Sequence, residues 1–454
     1  MREFAVPPTM IDIATTRRRA GDWAGACAAA HVDVDIDLRA LARTHGRELA
    51  ARVRADLRHL APDLLRWHLP RVAPDGLLRP GLTMVLARYD AEASESRCSG
   101  MGSVHLVVRT APAWADSGQR ISLALWDGSR SGSGTSMHPH ARPNRRFRLD
   151  LHRHLWDARR ADELRMRSGA TQFRADSDRT GATITDRWAV DPVAPVPQDC
   201  AVDRWSAEAA ILLRAERSRG GLVLVRYGAR QRLVLDMASA GDEPPVVRIA
   251  EKYPRGGVSA LPVLPDAATW VLPDLALIRA GAITADRLHP LVASALDPDC
   301  SPTDPPRISA GERLVECRGE LHRIGLVNGA LAALDHDPAE IRREELLVAL
   351  TGTPLPCLRV IDQAHRHPDW LVGVRERLDH GDTAGALAVV EGLLGPGALL
   401  RDGPLLHELE ASAQRRITYG LFRAGLPAPG HGLRYPSRCA RREHGAHPRH
   451  AIKI

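Results

Sequence analysis

The chain has 454 residues, of which 44% are hydrophobic, and a formal charge of +7; that length exceeds one ordinary core and predicts roughly two to four folded domains. No apolar run approaches the ~18 residues of a membrane span, Met1–Met10 carries no leader pattern, and the seven cysteines are scattered without a Cys-x-x-Cys, so a soluble, reduced, cytoplasmic protein with no membrane role is expected. Only Lys252 and Lys453 among the 62 basic residues are lysines, a bias that a GC-rich bacterial genome explains, so arginine clusters are not by themselves anion-binding devices.

The first seventy or so residues read as helical. Leu38, Leu41, Leu49, Val53, Leu57 and Leu60 form one apolar stripe, predicting a helix that Pro62 ends or follows with a short second one. Arg43, Arg47, Arg52, Arg54 and Arg58 fall on its other faces. From about Gly81 the period changes to two, predicting strands over Leu82–Tyr89, Val104–Arg109, Ile121–Trp126 and Phe147–Leu151. The Gly/Ser-rich stretch Asp127–Asn144 is expected to be a disordered or functional loop.

Helices are predicted over Leu155–Met166 and Asp203–Arg217, separated by the Pro-rich connector Asp191–Gln198, and a hairpin over Leu222–Tyr227 and Arg232–Asp236. Short strands follow at Leu314–Cys317, Leu321–Val327 and Ala330–Leu334, the last two joined by Asn328-Gly329, whose residues suit the positive φ of a tight hairpin turn. Asp337-Pro338-Ala339-Glu340 has the form of a helix start: a capping acid, proline in the first turn, glutamate in the third position. A helical pattern continues to about Arg423 with breaks near Gly352, Pro368, Gly381 and Gly395, and the tail after Pro427, which holds most of the net charge, is expected to be disordered.

Gly21-Asp22-Trp23-Ala24-Gly25-Ala26-Cys27-Ala28 matches Gly381-Asp382-Thr383-Ala384-Gly385-Ala386-Leu387-Ala388 at six of eight positions. Each copy resembles the start of the second helix of a tetratricopeptide-type hairpin, but no period of about 34 residues links them. Two separate helical hairpins that use the same turn are therefore expected, with glycine ending one helix and aspartate capping the next.

The fold class is α+β, with a helical N-terminal segment (1–72), a mixed region with an antiparallel β-sheet (78–250), a Pro/Gly-rich connector (251–310), a β-hairpin followed by helices (311–425) and a basic tail (426–454). No P-loop, dinucleotide fingerprint, nucleophile elbow or His-Glu-x-x-His is present. The chemistry-bearing pattern that remains is Asp150, His152 and His154, placed by period two on one face of a strand, with His138 and His140 on the loop before it. Such a set could hold a divalent metal such as zinc. Asp335-His336-Asp337 with Cys317 and His322 is a second grouping, which reads more simply as turn and cap residues.

Three functions are in view. The first is a non-enzymatic scaffold whose helical ends meet a protein partner. The second is a metal-dependent hydrolase using Asp150, His152 and His154. The third is a nucleic-acid binder acting through the basic tail and the seven arginines of Arg142–Arg160.

Overall fold

The computed structural model describes residues 2–90, 103–115, 118–128, 138–170, 196–218, 221–229, 231–238, 246–250, 260–297, 313–317, 320–327, 330–333, 335–337, 339–343, 346, 356, 358–359, 369–394 and 403–426. The expected disordered tail, the Asp191–Pro195 part of the connector and residues 129–137 of the Gly/Ser-rich loop lie outside them.

Helices α1 (Arg2–Ala5), α2 (Pro8–Arg19) and α3 (Trp23–Ala29) precede β1 (Val32–Asp35), which is followed by α4 (Leu38–His45), α5 (Arg47–His59) and α6 (Pro62–His68). The single helix predicted over Leu38–Leu60 is two, because Gly46 adopts φ +92° and ends α4 one residue before α5 begins. Asp37 caps α4 by accepting from the Arg39 and Ala40 amides at 2.8 and 3.1 Å. Pro62 opens α6 in its first turn.

After a short hairpin, β2 (Arg71–Val72) with β3 (Leu77–Leu78), come β4 (Thr83–Tyr89), β5 (Val104–Thr110) and β6 (Ile121–Trp126). The sheet order is β1-β6-β5-β4, antiparallel except that β1 runs parallel to β6 with Val32 opposite Ile121. The strand β1 corrects the wholly helical reading of the N-terminal segment. One face of the sheet packs Leu86, Leu106, Val108, Ile121 and Leu123 into a single core with Val53, Leu57 and Leu64 from α5 and α6.

The strand expected at Phe147–Leu151 is absent: Leu149–Leu151 and Arg153–Leu155 are 3₁₀ turns, and only Arg148 bridges to Val85. The alternation that suggested a strand instead serves a compact turn in which Phe147, Leu149, Leu155 and Trp156 all enter the first core. The Trp156 indole donates back to the Leu149 carbonyl at 3.0 Å. The long helix expected over Leu155–Met166 is likewise reduced to a 3₁₀ turn and α7 (Leu164–Arg167).

A second core forms where α8 (Val202–Ala215) lies against β7 (Gly221–Arg226) and β8 (Arg232–Ala238), which β9 (Val246–Ile249) extends to three antiparallel strands. The connecting helices α9 (Asp266–Thr269), α10 (Pro273–Arg279) and α11 (Pro290–Leu296) bind it to the first core: Val292 and Ala295 enter the first, Ala268 the second. β10 (Arg313–Cys317), β11 (Glu320–Val327) and β12 (Ala330–Ala333) make a separate antiparallel meander. Its second hairpin pairs Val327 with Ala330, the two-residue connection that Asn328-Gly329 predicts.

Of the last helices, α12 (Asp369–His380) and α13 (Thr383–Leu394) form a small core of Val374, Leu378, Ala386 and Val390, against which α14 (Pro404–Arg423) packs Leu405 and Leu409. The two Gly-Asp turns are built alike. Asp22 and Asp382 accept from the Gly25 and Gly385 amides at 2.8 and 2.9 Å, and each receives an arginine five residues earlier, Arg17 and Arg377.

The two ends of the chain are fastened together. The buried Arg66 guanidinium donates to the carbonyls of Ala5 and Gln119 on one side and to that of His380 on the other, at 2.8, 2.5 and 3.0 Å. Gly381 lies so close to Gly118 that a Cβ would run into its carbonyl oxygen. On β1, Asp33 accepts from Arg120 and from the Tyr419 hydroxyl, both at 2.5 Å, while Asp35 is held by Arg423 of α14. Among the described residues no helix is long and apolar enough to cross a membrane.

Candidate functional site

The segment carrying Asp150, His152 and His154 is the seam between the two main cores. Both oxygens of Asp150 accept from Arg148 at 2.8 Å, and Arg148 reaches on to Glu216, at the end of α8, at 2.7 Å. His152 is buried; its Nε2 faces Glu208 of α8 at 3.1 Å and its Nδ1 faces the Arg148 carbonyl at 3.2 Å. Arg167 grips the same Glu208 through two bonds of 2.8 and 2.7 Å. Burial works to raise the Glu208 pKa, but the hydrogen bonds from His152 and Arg167 outweigh it and hold the carboxyl at about 2.

His154 is buried beside His152, ring centroids 5.7 Å apart, and its Nδ1 has no hydrogen-bond partner. Burial, reinforced by the nearby His152, Arg167, His68 and Arg204, pushes its pKa well below the ordinary histidine value, so the ring is neutral. The structure thus brings His152 and His154 together and sets Asp150 apart in its own ion pair. Among the described residues no group of three or more His, Cys, Asp or Glu side chains is placed to hold a metal ion. His138 is buried; its Nε2 donates to the Thr110 carbonyl at 2.9 Å and its Nδ1 accepts from the His140 amide at 3.2 Å.

The second grouping also has a structural account. Asp337 accepts from the Ala339 amide at 2.9 Å and so caps the following turn, as its sequence predicts. His322 and His336 stack face to face, centroids 4.1 Å apart, while Cys317 is buried.

What the sequence treats as an ordinary solvated face has more organisation. On α5 the buried residues Ala50, Val53 and Leu57 anchor one side. A flanking side carries Arg47, Ala51, Arg54 and Arg58, all exposed, at the spacing of a single helical row. Exposed Arg39 and Arg43 stand on the adjoining α4. Among the described residues, the guanidinium groups of Arg43, Arg47, Arg54 and Arg58 make no ion pair or hydrogen bond. Several arginines elsewhere are neutralised, as Arg88 and Arg148 are by Glu216, Arg146 by Asp266, Arg153 by Asp56 and Arg167 by Glu208. The missed signal was the row spacing i, i+4, i+7, i+11 with no acid in it.

No protein-family model matches the chain, and neither a curated protein nor a solved structure matches it.

Proposed function

We propose that this protein is a non-enzymatic interaction protein whose N-terminal helices present an arginine row to an acidic partner protein. The observation that carries this reading is the exposed, unneutralised row Arg47, Arg54 and Arg58 on α5, in a molecule where half-buried arginines such as Arg148, Arg153 and Arg167 are matched by carboxylates. The row spans about 16 Å of helix, at ~1.5 Å per residue, and suits carboxylates repeated at the same spacing on a partner helix.

The row is also held rigidly, which supports the reading further. The α5 underside is in the first core, and the clamp of Arg66 and Asp33 ties that core to the C-terminal helices. A surface already ordered before contact loses less conformational freedom on binding. The small Ala51 between the arginines leaves room for a helix to approach, and no aromatic side chain stands in the row to stack on a base.

The test is capture of partners by the full-length chain from its host extract, repeated with Arg47→Glu, Arg54→Glu and Arg58→Glu combined. An acidic protein that is recovered by the wild type, released by salt and lost with the variant supports the reading. Equal recovery by both forms contradicts it, and recovery of nucleic acid in place of protein moves the partner to the phosphate-bearing class.

A further inference from the structure

The tip of the β7–β8 hairpin places two like charges against each other. Arg226 and Arg232 are direct cross-strand partners in the register, and so project from the same face of the ribbon. It is the face opposite Val223, Val225, Leu233 and Leu235, which belong to the second core. Among the described residues neither guanidinium makes a hydrogen bond or an ion pair. Like charges directly opposite one another weaken a hairpin, and this pair closes the last register position before the turn.

Among the described residues, no free carboxylate stands beside this pair. The carboxylate whose field reaches Arg226 is Asp266, and both its oxygens are already held by Arg146 at 2.8 Å. Arg79 adds a further positive charge near the same carboxylate. The tip also borders an open cavity of about 280 Å³ lined by Arg226, Ala229, Gln231 and Arg232. The turn that forms it is closed by the Tyr227 amide donating to the Gln231 carbonyl at 3.3 Å. Gly228 leaves room for the Gln231 side chain, which a Cβ at that position would strike.

We propose that this hairpin tip binds a phosphoryl group, with Arg226 and Arg232 gripping one oxyanion between them and the Gln231 amide donating a further hydrogen bond. Two planar guanidinium forks match the oxygens of a phosphate bidentately, and a bound dianion turns their mutual repulsion into attraction. The cavity is at the small end of the range for ligand sites, roughly 300–1,000 Å³, and so suits a single phosphoryl or pyrophosphoryl group rather than a whole dinucleotide. The site shares no residue with the α5 row and stands or falls separately from it.

The experiment is calorimetric titration of the full-length protein with pyrophosphate at low ionic strength, beside a short single-stranded oligonucleotide that carries the same phosphoryl chemistry on a polymer. One-to-one binding of pyrophosphate is expected, weakened about tenfold or more by Arg226→Gln or Arg232→Gln, and less by Arg232→Lys, which keeps the charge but loses the fork. Arg217→Gln, which removes an exposed arginine already paired with Asp90, is the control and should leave binding unchanged. Tighter binding of the oligonucleotide, with the same losses, would identify a nucleic-acid backbone as the source of the phosphate. Absence of binding by both probes, or binding that the Arg226 and Arg232 variants leave intact while their melting temperatures stay at or above that of the wild type, overturns the proposal.

Discussion

Arg66 and His380, separated by 314 positions in the chain, are joined by a hydrogen bond of 3.0 Å from the guanidinium to the backbone carbonyl. The same guanidinium donates to the carbonyls of Ala5, Gly118 and Gln119, so one buried cation serves four backbone acceptors from distant parts of the chain. A buried charge is tolerated when its hydrogen bonds are filled, and here backbone carbonyl dipoles fill them.

Replacing Arg66 by Met leaves those carbonyls without their donor. Hydrogen bonds to a charged group contribute ~1.5–3 kcal/mol each, so a loss of at least about 3 kcal/mol is expected. The first transition in urea unfolding should move to lower denaturant, and amide hydrogen exchange in α12 should speed up more than in α8.

Gly381 tests the same clamp from the other side. Its φ of +86° is costly for any other residue, and a side chain there meets the Gly118 carbonyl. Gly381→Ala is expected to destabilise by ~1–3 kcal/mol, with faster exchange in α12 to α14. The equivalent change at Gly21, which also has a positive φ but open space around it, should cost only its backbone strain.

Acid should loosen the seam in two stages. His154, whose folded pKa is depressed well below 6.5, and His31 and His105, each held at about 4, contribute stability that is complete above about pH 6.5 and is lost as pH falls below it. Glu208, held at about 2 against an ordinary value of 4.5, contributes stability that is complete above that ordinary value and disappears as pH falls toward 2. Melting temperatures measured from pH 7.5 to pH 3 should therefore decline early, and His154→Gln should flatten the upper part of that decline while Glu208→Gln flattens the lower. At neutral pH, Glu208→Ala strands Arg167 and His152 and should cost about 3–5 kcal/mol.

In buffer free of phosphate, the hairpin tip should gain from losing one of its like charges. Arg232→Gln is expected to stabilise the protein by ~0.2–1 kcal/mol, read as a small rise in melting temperature, whereas most surface substitutions do nothing or lower it.

Much of the local structure was legible in the residues themselves. β4, β5 and β6 follow from alternating β-branched residues, and the pairing of Val327 with Ala330 follows from Asn328-Gly329. The two Gly-Asp turns follow from glycine and aspartate at matched positions. These signals are local, and local chemistry decides them. Strand β1 was not legible, because it is short, polar on alternate positions at Asp33 and Asp35, and justified only by β6, about ninety residues later. Phe147–Leu151 alternates like a strand but folds as turns, since the core needs Leu149 and Trp156 on the same side.

The candidate site divides the same way. Asp150, His152 and His154 were identifiable as chemistry-bearing residues, and Arg148 beside Asp150 is a local partner, but Glu208 of α8, which holds His152 and Arg167, is brought to them only by the tertiary fold. Arg66 gave no sign, in sequence, that it differs from the sixty or so basic residues around it. The α5 row was visible as arginines, while their lack of counterions became apparent only once the carboxylates had been placed.

The most direct measurement of the account is hydrogen–deuterium exchange on the captured complex compared with the free protein, read peptide by peptide. The account predicts new protection over α4 and α5, centred on Arg47–Arg58, with the clamp at Arg66 unchanged. Protection confined to other elements, with α5 exchanging as fast in the complex as in the free chain, would contradict it.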